Sequence, residues 1–187
     1  SYASDDPPHP AAFHFGGGTP SLLEPADLEL IISSLESRLA VSRSDLRDIG
    51  IEVTPDSVSF SKLLAMKKAG FNRLSLGVQT FDRNLFSTFR RGHSLRQVDE
   101  TLDDAAQAGF SNINIDLLYG FPGQTERVLL QDIKETIARD PGHISPSPWF
   151  PVAGPLMPGN EKDLASLTER NIRWAGTVHD ALISAGY

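Results

Sequence analysis

The feature that most constrains the fold is a regular alternation of apolar strands and amphipathic helices. Five short apolar segments end near residues 15, 53, 78, 118 and 145, and a segment with helical periodicity follows each of them. Units of one strand and one helix that recur roughly every 30 residues pack their strands in parallel, joined by right-handed crossovers. The sequence therefore predicts an α/β protein whose functional side chains gather at the carboxyl ends of parallel strands.

The length of the chain limits how many of these units a barrel can contain. A closed barrel of eight strand–helix units takes about 250 residues, whereas this chain has 187 residues. The sequence therefore predicts either a partial barrel or an open parallel sheet. Residues 1–11 are rich in proline and polar side chains, and we predict that they form a linker or the remnant of a loop.

Capping and turn signals set the expected boundaries of the elements. Ser94 and Gln97 have the spacing of a capping box at a helix start. Gly70 and Gly109 stand where two helices should end. The predicted strands cover residues 12–15, 49–54, 73–78, 112–118 and 143–145, and the predicted helices begin at Pro25, Ser59, Asp82, Ser94, Thr125 and Leu164.

Net charge and cysteine content exclude several classes of function. The formal charge is −7, from 17 basic and 24 acidic residues, so neither nucleic acid nor an anionic membrane is an expected partner. No apolar run approaches the roughly 20 residues of a membrane span, and the N-terminal residues lack the layout of a signal peptide, so a cytoplasmic location is expected. Cysteine is absent, which removes disulfides, thiolate nucleophiles and cysteine-bound iron–sulfur clusters.

Glycine and polar residues collect at the predicted carboxyl ends of the strands. Three consecutive glycines let the backbone turn sharply and let a ligand approach main-chain groups. Carboxylates and an amide follow at later strand ends, without a nucleophile or a metal-ligand spacing, so no catalytic or metal-binding residue is assigned. The pattern predicts a site for a large polar small molecule. The rim residues are Gly16, Gly17, Gly18, Thr19, Glu52, Gln79, Asp116, Tyr119 and residues 147–150, with Arg91 and His93 one helix later.

Structural roles compete with ligand binding at these strand ends. The three glycines could form only a tight turn. Glu52 and Asp116 could cap the helices that follow them. Either carboxylate could instead pair with Arg73 or Arg91. Gln79 could serve only to satisfy backbone groups at a crowded strand end.

Histidine and aromatic residues also have two interpretations. His14 lies within an apolar strand and is predicted to be a hydrogen-bonded core histidine. Arg91 and His93 could lie in a solvated loop. Trp149 and Phe150 could line a substrate wall or could serve only in packing.

Five segments taken together resemble a known family. They are FGGGTPSLL (15–23), IEVTP (51–55), NRLSLGVQTFD (72–82), RRGHS (90–94) and NIDLLYGFPGQT (114–125). Their order and spacing are similar to the radical S-adenosylmethionine core of oxygen-independent coproporphyrinogen III oxidase and its relatives. The resemblance implies a partial (β/α)6 TIM-like barrel of parallel strands with its first strand absent. Residues 12–160 would form this barrel, and 161–187 a helix leading to a missing accessory domain.

The resemblance also implies that S-adenosylmethionine lies across the strand tips. The family's glycine loop meets the methionine amino group, which assigns that role to Gly17, Gly18 and Thr19. The other cofactor-binding residues predicted are Glu52, Gln79, Arg91, Asp116 and Phe150. The family's Cys-x-x-x-Cys-x-x-Cys loop, which ligates a [4Fe–4S] cluster, is absent. We therefore expect the chain to begin inside the family's domain and to ligate no cluster by itself.

Three functions remain open from the sequence. The first is the core fragment of a radical enzyme, which would need an electron donor and its cluster-bearing part. It would perform oxidative decarboxylation, C-methylation or cyclopropanation on a tetrapyrrole or a natural-product intermediate, and residues 144–157 look slightly more like the methyltransferase and cyclopropanase branch. The second is a non-catalytic module that binds S-adenosylmethionine or heme. The third is a degenerate remnant whose rim residues are only structural.

Overall fold

Five parallel strands form the sheet of a half-barrel. The computed structural model of the protein describes residues 10–88, 92–150 and 164–187. The strands lie in the order β1-β2-β3-β4-β5, and each neighbouring pair is parallel. They are β1 (Ala12–Phe15), β2 (Asp48–Val53), β3 (Arg73–Gln79), β4 (Asn112–Tyr119) and β5 (His143–Pro148). The predicted α/β partial barrel is confirmed, because spatial order follows chain order and does not reverse as in a doubly wound sheet.

Helices follow the strands at the positions that the caps predict. In the described ranges they are α1 (Pro25–Leu39), α2 (Phe60–Lys68), α3 (Arg83–Thr88), α4 (Leu95–Gln107), α5 (Glu126–Ile137) and α6 (Leu164–Ser184). The capping box is present, since Ser94 and Gln97 each accept a backbone N–H from the other. The side chains of Ser59 and Thr125 likewise accept a backbone N–H three residues later. These local hydrogen bonds explain why the helix starts could be predicted.

The two faces of the sheet differ in polarity. In β4, Ile113, Ile115 and Leu117 belong to the core that the helices cover, whereas Asn114 and Asp116 point to the opposite face. Strands buried on both faces are usually apolar throughout, so this alternation indicates a sheet with one covered face. We call the face that carries Asn114 and Asp116 the inner face. The strand register adds His14, Asp48, Gly50, Glu52, Arg73, Ser75, Gly77, Asn112, His143 and Ser145 to it.

The covered face packs against α1, α2 and α4 in one core. Leu28 and Ile32 from α1, Leu63 and Met66 from α2, and Val98 from α4 are completely buried there. Burying one such side chain stabilises the fold by about 2 kcal/mol. The core therefore holds the strands in place and leaves the inner face to other roles.

A second, smaller core joins α5 to α6. Its buried members are Tyr119, Leu129, Ile133, Trp174 and Val178. Tyr119 was predicted on the rim, and that prediction is wrong, because the alternation of β4 turns its ring to the covered face. The role of residues 161–187 as a connection to another domain stays a prediction. No helix in the described ranges is both long enough and apolar enough to cross a membrane.

Candidate functional site

The glycine turn after β1 is held by a carboxylate from β2. Gly17 and Gly18 have left-handed φ angles of 83° and 66°, which explains why glycine is needed there. Gly17 N–H donates a hydrogen bond to Glu52 Oε2 at 3.1 Å. Glu52 therefore neither caps the next helix nor pairs with Arg73. Because one amide of the turn is already bound to a carboxylate, the turn is poorly suited to cradle a phosphate.

His14 lies on the inner face next to the same carboxylate. Its Nε2 is 3.4 Å from Glu52 Oε1, and its side chain is 44 % exposed. The prediction of a core histidine is therefore wrong, because the alternation of β1 buries Phe13 instead. A Cβ at Gly16 would lie 2.7 Å from Glu52 Oε1. Gly16 thus makes room for Glu52, a role that its place in a glycine run did not reveal.

Asp116 is fixed by two side-chain donors on the inner face. Ser75 Oγ donates to its Oδ2 at 2.8 Å, and Asn114 Nδ2 donates to its Oδ1 at 2.6 Å. Burial raises the pKa of Asp116, the two hydrogen bonds act in the opposite direction, and the nearby charge of Glu52 raises it further. The carboxylate is thus bound to its own sheet and does not cap the following helix.

Gln79 adopts a conformation that residues other than glycine rarely take. Its φ is 76°, and the pairing between β3 and β4 is irregular between Gly77 and Gln79. A Cβ at Gly77 would lie 3.3 Å from Gln79 Nε2, so the amide folds back over that glycine. Gly77 pairs with Asp116 in the strand register, so the amide lies over the glycine that stands opposite Asp116. Such strained positions cluster at functional sites.

Arg73 lies deeper on the inner face, nearer the amino ends of the strands. Its Nε donates to Asp48 Oδ2 at 2.7 Å, and its Nη2 is 3.5 Å from His14 Nδ1. A Cβ at Gly50 would lie 2.9 Å from Nη2. Arg73 thus pairs with Asp48. The structural alternative in which Arg73 pairs with Glu52 or Asp116 is therefore wrong.

Several predicted site residues lie apart from this group or outside the described residues. Thr19 precedes a single 3-10 turn and makes no side-chain cap. Phe150 follows the end of β5 and is about half exposed. His93 is buried, 3.5 Å from Asp56 Oδ1 and edge-on to Phe86, so a solvated position for this histidine is wrong. Arg91 and residues 151–157 of the segment compared with the methyltransferase branch are outside the described ranges.

The inner face has an excess of acceptors and negative charge. Across the five described strands it carries the carboxylates of Asp48, Glu52 and Asp116, while Arg73 is the only lysine or arginine in those strands. Glu52 and Asp116 lie toward the carboxyl ends, beside the glycine turn and Gln79. An arrangement of this kind favours a cation that also offers hydrogen-bond donors.

Comparison with known proteins identifies the family. The sequence pattern of the Radical SAM superfamily matches residues 5–136. The chain belongs to this superfamily. The half-barrel and the motifs at its strand ends agree with this membership.

Two curated relatives and one solved structure show which radical SAM proteins the chain resembles. It is 38 % identical to heme chaperone HemW of Bacillus subtilis over 130 residues, which cover 70 % of this chain and 34 % of the relative. It is 32 % identical to oxygen-independent coproporphyrinogen III oxidase of Pseudomonas aeruginosa over 177 residues, covering 93 % of this chain and 38 % of that protein. The structure of coproporphyrinogen III oxidase (HemN) from Escherichia coli, a radical SAM enzyme, matches with a TM-score of 0.68 and 26 % identity, over 90 % of this chain and 40 % of that one. The chain thus spans between a third and two fifths of the length of these relatives.

The superfamily implies two cofactors, and the residues of this chain fit one of them. The glycine turn and the carboxylates of Glu52 and Asp116 match the donors and the positive charge of S-adenosylmethionine. A [4Fe–4S] cluster needs thiolate ligands, and the sequence has no cysteine. Within the described ranges, no group of three or more histidine or acidic side chains could hold a metal ion either. The cluster therefore does not fit the residues present.

Proposed function

We propose that the carboxyl ends of the strands bind S-adenosylmethionine through Glu52, Asp116 and the Gly17–Gly18 turn, with Gln79 beside them. The observation that carries the proposal is the contact of Glu52 with Gly17 N–H at 3.1 Å, which joins the glycine turn to the inner-face carboxylates. Thr19, Arg91 and Phe150 complete the proposed set on the basis of the family resemblance.

Charge and hydrogen-bonding capacity support this ligand. S-adenosylmethionine carries a sulfonium and an ammonium group against one carboxylate, so its net charge is positive and suits an acidic face. Asp116 accepts one protein hydrogen bond on each oxygen. A carboxylate has about four lone-pair sites, so Asp116 keeps capacity for the hydroxyl groups of a ribose.

Isothermal titration calorimetry with two ligands tests the proposal. S-adenosylhomocysteine has the same shape apart from one methyl group but lacks the sulfonium charge, so the wild type should bind it more weakly than S-adenosylmethionine. Glu52→Gln and Asp116→Asn should each weaken S-adenosylmethionine binding by about tenfold. Each should also reduce the difference in affinity between S-adenosylmethionine and S-adenosylhomocysteine. Asp103→Asn, which removes an exposed carboxylate from α4, is the control and should bind like the wild type. No heat with S-adenosylmethionine for the wild type would overturn the proposal.

Radical chemistry on a substrate is the more specific part of the proposal. We infer that oxidative decarboxylation, C-methylation or cyclopropanation, with its electron donor, requires cluster-ligating cysteines that these 187 residues do not contain. Anaerobic incubation of the chain with iron, sulfide and dithionite should therefore yield no cleavage of S-adenosylmethionine to 5′-deoxyadenosine. Cleavage by the chain alone would contradict this inference.

Heme binding is a second candidate, supported by the heme chaperone relative and by two histidines. His14 and His143 are exposed on the inner face, and imidazole is a common axial ligand of heme iron. The inner-face carboxylates would repel heme propionates, which places this candidate second. A hemin titration should give a saturable Soret shift that His14→Ala or His143→Ala removes, and unchanged titrations in both variants would reject the candidate.

A further inference from the structure

Asp116 is held by polar side chains from two neighbouring strands that are shielded from water. Asn114, its inner-face neighbour on β4, is only 3 % exposed, and Ser75 on β3 is also buried. Asn114 Nδ2 lies 2.6 Å from Asp116 Oδ1 and also 2.6 Å from Ser75 Oγ. The carboxylate therefore has one fixed donor on each oxygen and little freedom to rotate.

A third strand holds the far end of the Asn114 amide. Ser145 Oγ on β5 donates to Asn114 Oδ1 at 2.8 Å. An ionised carboxylate only accepts hydrogen bonds, so a reversed amide would turn its oxygen toward Asp116 and lose the donor. Asp116 thus selects the orientation in which Asn114 Nδ2 faces it, and the Ser145 hydroxyl group holds the other end of the amide in place.

We propose that Asn114, held in place by Ser145, is a positioning residue that keeps the Asp116 carboxylate ready for a ligand at the strand ends. This inference deepens the proposed function and rests on it. A side chain that is already fixed loses less conformational freedom when the ligand binds, and this raises affinity.

The ionisation of Asp116 offers a measurement that does not depend on ligand binding. Burial raises the pKa of this carboxyl group, and the hydrogen bonds from Ser75 and Asn114 lower it. Of the neighbouring charges, Glu52 on β2 raises the pKa and His14 on β1 lowers it. Removal of the Asn114 donor should therefore raise the pKa of Asp116. A purely structural link between β4 and β5 would not change that pKa.

The test compares three variants of the full chain by calorimetry with S-adenosylmethionine and by carboxyl carbon NMR titration of Asp116 without ligand. Asn114→Ala should weaken binding by about tenfold and raise the pKa of Asp116. Ser145→Ala should change both quantities in the same direction but less. Asn112→Ala is the matched control, an asparagine two residues earlier on the same face whose side-chain oxygen is buried without a hydrogen-bond partner, and it should change neither.

The outcomes separate this inference from the proposed function. If the wild type binds S-adenosylmethionine and Asn114→Ala binds equally well, the inference is overturned while the proposed function stands. If the wild type gives no heat, the proposed function fails, and an unchanged pKa of Asp116 in Asn114→Ala would overturn the inference as well. If Asn114→Ala does not fold, the variant at the exposed position Ser145 provides the test. An unchanged affinity for S-adenosylmethionine and an unchanged pKa of Asp116 in Ser145→Ala would overturn the inference.

Discussion

The hydroxyl group of Thr80 donates a hydrogen bond to Asp132 Oδ2 at 2.9 Å and so ties the loop after β3 to α5. The other oxygen, Oδ1, accepts the Phe81 N–H at 2.7 Å. Asp132 is 2 % exposed. Burial raises the pKa of Asp132 to about 6, although the hydrogen bonds from Phe81 and Thr80 act against the rise. The loop that begins after Gln79 therefore depends on a buried carboxyl group from a different unit.

Asp132→Asn should make stability less dependent on pH. The folded state binds the Asp132 proton more tightly than the unfolded chain does, so this group adds stability that is complete below its ordinary pKa of 3.8 and is lost as the pH rises through about 6. Between pH 7 and pH 5, the free energy of unfolding of the wild type should gain about 1 kcal/mol relative to the variant. Urea denaturation at both pH values measures this, with Asp103→Asn as the control for loss of an exposed carboxylate. If the difference in the free energy of unfolding between wild type and Asp132→Asn is the same at both pH values, the raised pKa of Asp132 is contradicted.

Gly120→Ala should destabilise the protein more than Gly123→Ala. Both glycines have left-handed φ angles, 87° and 80°, but a Cβ at Gly120 would overlap Asn171 Oδ1, whereas the Cβ position at Gly123 is open. Both variants should lose about 1 kcal/mol through backbone strain. Gly120→Ala should lose roughly a further 1–3 kcal/mol, because Asn171 must shift from its 3.0 Å hydrogen bond to the Trp149 carbonyl. Chemical denaturation followed by tryptophan fluorescence measures both losses of stability. Equal losses would contradict the close contact between Gly120 and Asn171 of α6.

Gly16→Ala should weaken ligand binding with little effect on stability. The new Cβ would lie 2.7 Å from Glu52 Oε1, and the partly exposed Glu52 side chain can move toward solvent to relieve the overlap. We expect about a tenfold loss of S-adenosylmethionine affinity, measured by calorimetry. Gly176→Ala is the matched control, since its Cβ would meet nothing within 4 Å; in α6 it should leave affinity unchanged and add up to about 1 kcal/mol of stability. Equal affinity in the two variants would argue against a role for Glu52.

Ser94→Ala should cost about 1 kcal/mol of stability, because α4 loses the side chain that caps its start. Chemical denaturation measures the loss. Ser37→Ala, at an exposed position within α1, is the control and should be neutral or slightly stabilising, since alanine has the higher helix propensity. A similar change in both variants would mean that the capping box contributes no stability.

The sequence alone determined the order and type of the elements and the end of the sheet where polar residues gather. Helix periodicity, the capping box of Ser94 and Gln97, and the glycine turn at Gly17 and Gly18 all involve residues close together in the chain. Interactions of this range depend on local propensity and spacing, which can be read directly. The strands and helices were accordingly predicted to within a few residues.

Only the tertiary structure decided which inner-face side chains meet. The contacts of Glu52 with His14 and of Asp116 with Ser75 join residues 38 and 41 positions apart, and so depend on the register between strands. A slip of one residue would turn every side chain of a strand to the other face, and the sequence does not state that register. The space that Gly16 leaves for Glu52 follows from this register. The place of Tyr119 follows instead from the alternation of β4 together with the packing of α5 and α6 against that residue.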